Sequence, residues 1–278
     1  MERYRRLASW APRLALLACA CLAGQAQAQA RDPQPCPAPL IDALAKQLGQ
    51  HDWAMPDAYN EGPLVAAACK PWPDDKARSV VALAYVRPGD EGISAGERSL
   101  ALLVAKVDGK SGAFLERYDA TLDEDAVTEV SAGSLWLDTA RYHLAPGVRA
   151  FGLVFDSTAR GASCPDGGSD QELTLFAPDG KALRPVLRAY LSEWTTIKGT
   201  LCVNDPDFMT ESAKVTLDIA KTRSNGFADL VLAAKVTGDS AAGEKYLRTE
   251  RKTLKYDGKQ YPHETFPRFW EQPASTAQ

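Results

Sequence analysis

Histidine is scarce in this chain, with three copies in 278 residues, at His51, His143 and His263. No Cys-x-x-Cys pair accompanies them, so a structural zinc site of the usual kind is excluded. No phosphate-binding loop or dinucleotide fingerprint is present, which excludes the common nucleotide-dependent enzymes. The body of the chain has no basic block, and the formal net charge is −4. A mildly acidic chain of this kind suits neither nucleic acid nor an anionic membrane surface as partner. Past the first thirty residues no apolar run is long enough for a transmembrane segment.

The N-terminus does carry a signal. Arg3, Arg5, Arg6 and Arg13 make a basic start, and Leu14 to Gly24 is a short apolar run. Ala26-Gln27-Ala28 and Ala28-Gln29-Ala30 are small-x-small cleavage sites. Residues 1–30 therefore read as a secretory signal peptide, and the mature chain as periplasmic or secreted. Leu16-Leu17-Ala18-Cys19 offers the alternative of a lipoprotein anchored at Cys19, which the Ala-Gln-Ala sites fit less well. Four cysteines lie beyond the leader: Cys36, Cys69, Cys164 and Cys202. In an oxidising compartment they predict two disulfides. The sequential pairing is preferred, because each bridge then closes a loop within or beside one unit of the fold.

Those units are read from strand-like patterning. Ser134 to Leu187 reads as strand, strand, long loop, strand, turn, strand. Asp-Gly-Lys occurs at Asp108, Asp179 and Asp257 at near-equal spacing. Asp-Gly between apolar runs predicts a type I′ hairpin turn, with φ > 0 at both central residues. Leu135 to Arg141 and Val215 to Lys221 stand at matching places before the second and third turns. Leu64 to Lys70, Val80 to Val86 and Leu100 to Val107 give a looser first unit. The expected fold class is therefore all-β: about three related antiparallel meander units, in a sandwich or propeller-like array, with one short N-terminal helix. The expected boundaries are an arm and helix over 31–60, β units over 61–130, 131–205 and 206–265, and a tail over 266–278.

Pro39 to Gly49 supplies the helix, with Leu40, Ile41, Leu44 and Leu48 at helical spacing. Proline-rich 31–38 is an extended arm. Asn225-Gly226 predicts a hairpin between Lys214–Ile219 and Ala228–Val236. Pro185 predicts that Leu183–Leu187 is an edge strand or the end of one. Thr253 to Tyr256 enters the last Asp-Gly turn, with Tyr261 on a return strand. Polar loops are expected at Arg87–Arg98, Ser157–Gln171 and Gly238–Lys245, and long loops on a rigid sheet are where binding tends to reside. Phe266, Phe269 and Trp270 in the tail are expected to dock.

Two stretches offer chemistry. Gly92-Ile93-Ser94-Ala95-Gly96 matches Gly-x-Ser-x-Gly, which in a hydrolase needs a strand, a sharp elbow and a helix to expose the serine. Here polar residues precede it and a strand follows, so a Gly/Ser loop tip is the simpler reading. A serine hydrolase using Ser94, with His143 or His263 downstream, is kept as the alternative function. The second stretch is acidic. Cys164 and Cys202 each lead two aspartates, Asp166 and Asp170, and Asp205 and Asp207. A Cys164–Cys202 bridge would gather all four into a binding surface for a cation, such as calcium, or a basic partner. Their plainer role is as turn residues. Thr222 to Leu230 resembles the FG-GAP type of propeller blade, whose Asp-rich loop binds calcium. Arg223 and Ser224 stand where that pattern has acidic residues, so the likeness implies the strands without the ion. Trp53, Trp72, Trp136, Trp194 and Trp270 are spread singly, as core or sheet residues are. With no catalytic residues, cofactor or metal assigned, the reading is a non-enzymatic binding module for a protein or cell-envelope ligand.

Overall fold

A computed structural model describes residues 31–57, 62–203, 205–240 and 243–263. It is built almost wholly of strands. Helix α1 (Ala38–Gln47) is followed by β1 (Leu64–Trp72), β2 (Asp75–Tyr85), β3 (Ser99–Asp108) and β4 (Phe114–Asp123). Then come β5 (Leu135–Ala145), β6 (Val148–Phe155), β7 (Gly167–Asp179) and β8 (Ala182–Lys198). β9 (Met209–Ser224), β10 (Phe227–Ser240) and β11 (Lys245–Leu254) complete the order. The expected leader and the 266–278 tail lie outside the described residues.

Nearly every strand pairs antiparallel with its chain neighbour, giving one meander of β1 to β4 and another of β5 to β11. A single parallel bridge, Arg117 to Ala182, joins β4 to β8. The two meanders share a core. Val80, Ala82 and Val104 of the first meet Leu137, Phe151, Leu153 and Phe176 of the second. The other face of β1 to β3 is covered by α1 through Leu40, Ile41 and Leu44. β1 to β3 are thus buried on both faces, which explains their continuous runs such as Val80–Ala84 rather than alternation. A third cluster fills the second meander with Leu175, Val186, Leu230, Leu232 and Val236.

The N-terminal arm spans the gap between β1 and β5, which do not hydrogen-bond to each other. Gln34 O accepts from Cys69 N on β1 at 2.9 Å. The Gln34 side-chain amide donates to Leu137 O on β5 at 2.9 Å and accepts from Leu137 N at 2.7 Å. One residue thereby serves edge groups of two strands. Cys36, 5 % exposed, is bridged to Cys69 and fixes the arm there, with Cα atoms 4.8 Å apart. The second bridge, Cys164–Cys202, spans 5.4 Å between Cα atoms. The sequential pairing is the one formed, and two such bridges fit an oxidising compartment. Among the described residues no helix is long and apolar enough to cross a membrane.

Several expectations are corrected by long-range pairing. The expected Ser157–Gln171 loop ends early, because Gly167–Asp170 joins β7 opposite Ser192–Thr195. β10 extends to Ser240, which shortens the loop before β11 in the same way. Of the two readings of Pro185, the edge holds and the strand end does not: β8 runs through it for 17 residues with β7 on one side only at that point. It sits at a register shift against β7, and β9 joins β8 only from Ser192, so its missing N–H costs no ladder bond. Tyr261 is on no strand; it is buried, and its hydroxyl donates to Ala228 O at 2.6 Å. Of the Asp-Gly-Lys turns, none is type I′. In the β7–β8 hairpin Asp179 still pairs with Ala182, so Gly180, at φ 63°, is the first loop residue. Asp108 and Asp257 instead accept bonds from backbone N–H groups two and three residues on. Asn225-Gly226 does form the type I′ geometry, at φ 47° and 89°.

Candidate functional site

Two cavities open beside the loops. The first, about 590 Å³, lies at the disulfide-bridged end of β7 and β8. Its floor follows from cross-strand register. Gly168 faces Trp194, Asp170 faces Ser192 and Glu172 faces Tyr190, so all six belong to one face of the sheet. Gly168 is required there, since a Cβ would stand 2.6 Å from the Trp194 indole Nε1. The indole therefore lies against bare backbone. Phe155 at the end of β6, the Val127–Thr128 turn and the loop through Arg160 form the walls.

That loop is stitched down rather than loose. Thr158 N donates to Glu129 O at 2.9 Å. The Ser157 hydroxyl accepts from Glu129 N and donates to Val127 O, both at 3.0 Å. Thr196 N donates to Asp166 O at 2.7 Å, and the Cys164–Cys202 bridge holds the outer edge.

Burial and the neighbouring Asp156 push the Asp170 carboxyl above its ordinary range, while Lys214 pulls it back. Lys214 is itself engaged, donating to Ser192 Oγ at 2.8 Å. Burial, Glu172 and Glu193 likewise raise the Tyr190 hydroxyl. On the opposite face of β8, Glu193 is 2 % exposed and its Oε1 has no hydrogen-bond partner. Burial pushes this carboxyl up to about 7.

The four aspartates singled out from the sequence are placed differently from one another. Asp170 lines the cavity. Asp166 is exposed beside the bridge. Asp205 accepts from Asp207 N at 3.0 Å, and Asp207 pairs with Lys198 at 3.1 Å on the surface. The bridge brings their loops together, but among the described residues no group of three or more His, Cys, Asp and Glu could hold a metal ion. In the Thr222–Leu230 segment, the Thr222 and Ser224 side chains hydrogen-bond Asp229 and hold its carboxyl below the usual range. Trp194, Tyr190, Phe155 and Glu172 did not stand out in the sequence. The signal was the alternation of 190, 192 and 194 on one strand, which becomes a site only once β7 is paired beside it.

The second cavity, about 770 Å³, lies between Gly49–Asp52 with Gly62 and Pro63 on one side and the Arg87–Arg98 loop on the other. Ser94 is exposed on its wall, and the histidine that shares it is His51 rather than His143 or His263. The loop turns through Gly92 and Gly96, at φ 90° and 88°, and runs directly into β3. No helix follows Ser94, so the strand–elbow–helix geometry of a nucleophile is not formed. The base of the loop is pinned by Glu124, whose side chain is 0 % exposed. Its Oε2 accepts from Gly96 N at 2.9 Å and from Arg98 N and Nε at 3.3 and 2.8 Å. Its Oε1 accepts from an Arg98 guanidinium nitrogen at 2.6 Å and from Val130 N at 2.9 Å. These bonds outweigh burial and hold the Glu124 carboxyl below its ordinary value.

Compared with protein-family models, with curated proteins and with solved structures, the chain gives no match.

Proposed function

We propose that this is a non-enzymatic binding protein of the periplasm or the secreted space, associated with the cell envelope, and that its ligand site is the cavity on the β7–β8 floor. The observation carrying this reading is a concave, half-apolar cavity with a few convergent polar groups, walled by a loop that hydrogen bonds and a disulfide hold in place. The leader over residues 1–30, with the Cys19 lipoprotein as its alternative, and the three-unit organisation over 61–130, 131–205 and 206–265 belong to the same proposal. So does the acidic surface of Asp166, Asp170, Asp205 and Asp207, as the approach to the cavity.

The test is retention of envelope components on immobilised mature protein. Species held by the wild type and lost with Trp194→Ala plus Tyr190→Ala support the site. Identical retention by the double variant overturns it. A second reading, a hydrolase using Ser94, is favoured by one observation: His51 lines the same cavity. A fluorophosphonate probe that labels the wild type but not Ser94→Ala would establish it, and absence of labelling removes it.

A further inference from the structure

We infer that the group this cavity accepts is an organic cation, an ammonium or guanidinium carried by a basic partner, held between the aromatic walls and the Asp170 and Glu172 carboxylates. The inference rests on the reading of this cavity as the ligand site. Three features of the geometry carry it. Trp194, Tyr190 and Phe155 all line the space, and an aromatic face attracts a cation through its quadrupole. Asp170 and Glu172 stand two residues apart on one face of β7, so both carboxylates look into the same volume. Of the charged residues that line the space, two are carboxylates and one, Arg160, is a cation, while Lys214 beside Asp170 donates to Ser192 from outside the lining.

The lining therefore carries two carboxylates against one cation, Arg160, while Asp156, Lys214 and Arg188 act from outside it. An anionic ligand would add to the repulsion between the carboxylates. A neutral ligand would leave it in place. A cation relieves it and uses the rings as well, so charge and shape agree. The volume, about 590 Å³, admits an arginine or lysine side chain with part of its backbone.

The experiment follows the Trp194 indole N–H resonance of the mature protein, assigned by its loss in Trp194→Phe. The probes are acetyl-arginine amide, its neutral isostere acetyl-citrulline amide, and a neutral chitotriose, each at matched ionic strength. The expected result is a saturable shift with the arginine amide and binding at least about tenfold weaker with the citrulline amide. Asp170→Asn with Glu172→Gln, whose fold is checked by its melting temperature, should lose the same factor. Equal binding of arginine and citrulline amides, or full affinity in the double variant, overturns the cation while leaving the cavity as a site. So does a response to chitotriose alone. No response to any probe, with the resonance resolved, overturns the cavity reading itself. A deca-arginine peptide separates the sources of the charge: binding tighter than ten independent residues account for points to a basic protein, and binding no tighter to a free amine, either supporting the charge class.

Discussion

Glu124 and Glu193 are both buried, one in each meander, and they are treated in opposite ways. Glu124 accepts five hydrogen bonds, two of them from one guanidinium. Glu193 has an oxygen with none. In the first meander the carboxylate is a fastening: it ties the Arg87–Arg98 loop to Val130 and stays charged. In the second, the carboxyl sits among strand neighbours such as Ala213 and keeps its proton near neutrality. A buried charge that is fully paired costs little to keep and much to break, while an unpaired one shifts its pKa instead. The half that tolerates an unsatisfied acid also carries the aromatic cavity one residue away.

Removing Glu124 should have the largest effect. Glu124→Ala leaves Arg98 buried without its partner and is expected to cost about 3–5 kcal/mol in urea denaturation. A loss under about 1 kcal/mol would show that the bonds merely replace those to water. Next is the buried disulfide. Cys36→Ser with Cys69→Ser should cost about 3 kcal/mol, because it frees the arm that spans β1 and β5.

Glu193 supplies the pH dependence. Its folded pKa is raised from an ordinary 4.5 to about 7, so the folded state holds a proton that the unfolded chain releases. Its contribution is fully present below pH 4.5 and is lost as pH rises towards 7. Glu193→Gln should therefore match the wild type near the acid end of that window and exceed it by about 3 kcal/mol at pH 8, read from melting curves. Glu124 has the reverse sign: its depressed pKa gives stability above the ordinary value that disappears as pH falls through the folded one. A variant that keeps the wild-type slope between pH 5 and 7 would refute the role of Glu193.

The smallest effect on stability is expected from Cys164→Ser with Cys202→Ser, about 1 kcal/mol, since both cysteines are exposed and β7, β8 and β9 already hold the segments together. The same variant should weaken retention by the cavity, because the bridge holds its outer wall. Stability lost as fully as with Cys36 and Cys69 would erase the distinction between the two bridges.

What the sequence made legible was local. The alternation of Lys214–Ile219, the Asn225-Gly226 turn and the apolar stripe of α1 act within a few residues, and each is where it was expected. Pro185 was legible as an edge residue, but that the strand continues past it depends on where β9 begins to pair with β8, which nothing near residue 185 encodes. Gln34 was invisible for a similar reason, since its partners are Cys69 and Leu137. The candidate site divides the same way. The loop at 157–171 drew attention through its polarity, and Asp170 through its place after Cys164. Trp194 and Tyr190 became meaningful only through register with Gly168 and Glu172.

β11 hydrogen-bonds to β10 alone, so one row of its backbone groups has no strand partner among the described residues. A ten-residue exposed edge of this kind is a template for uncontrolled self-assembly. Lys245, Arg251 and Lys252 lie along it, while Arg248 is paired with Glu211 and Glu250. A second copy approaching edge to edge would set cations opposite cations, and fibre growth from this side is opposed by charge. Replacing Arg251 and Lys252 with threonine would strip that guard and add two β-forming residues to Tyr246, Thr249 and Thr253, and the protein's resistance to aggregation on concentration would fall with it.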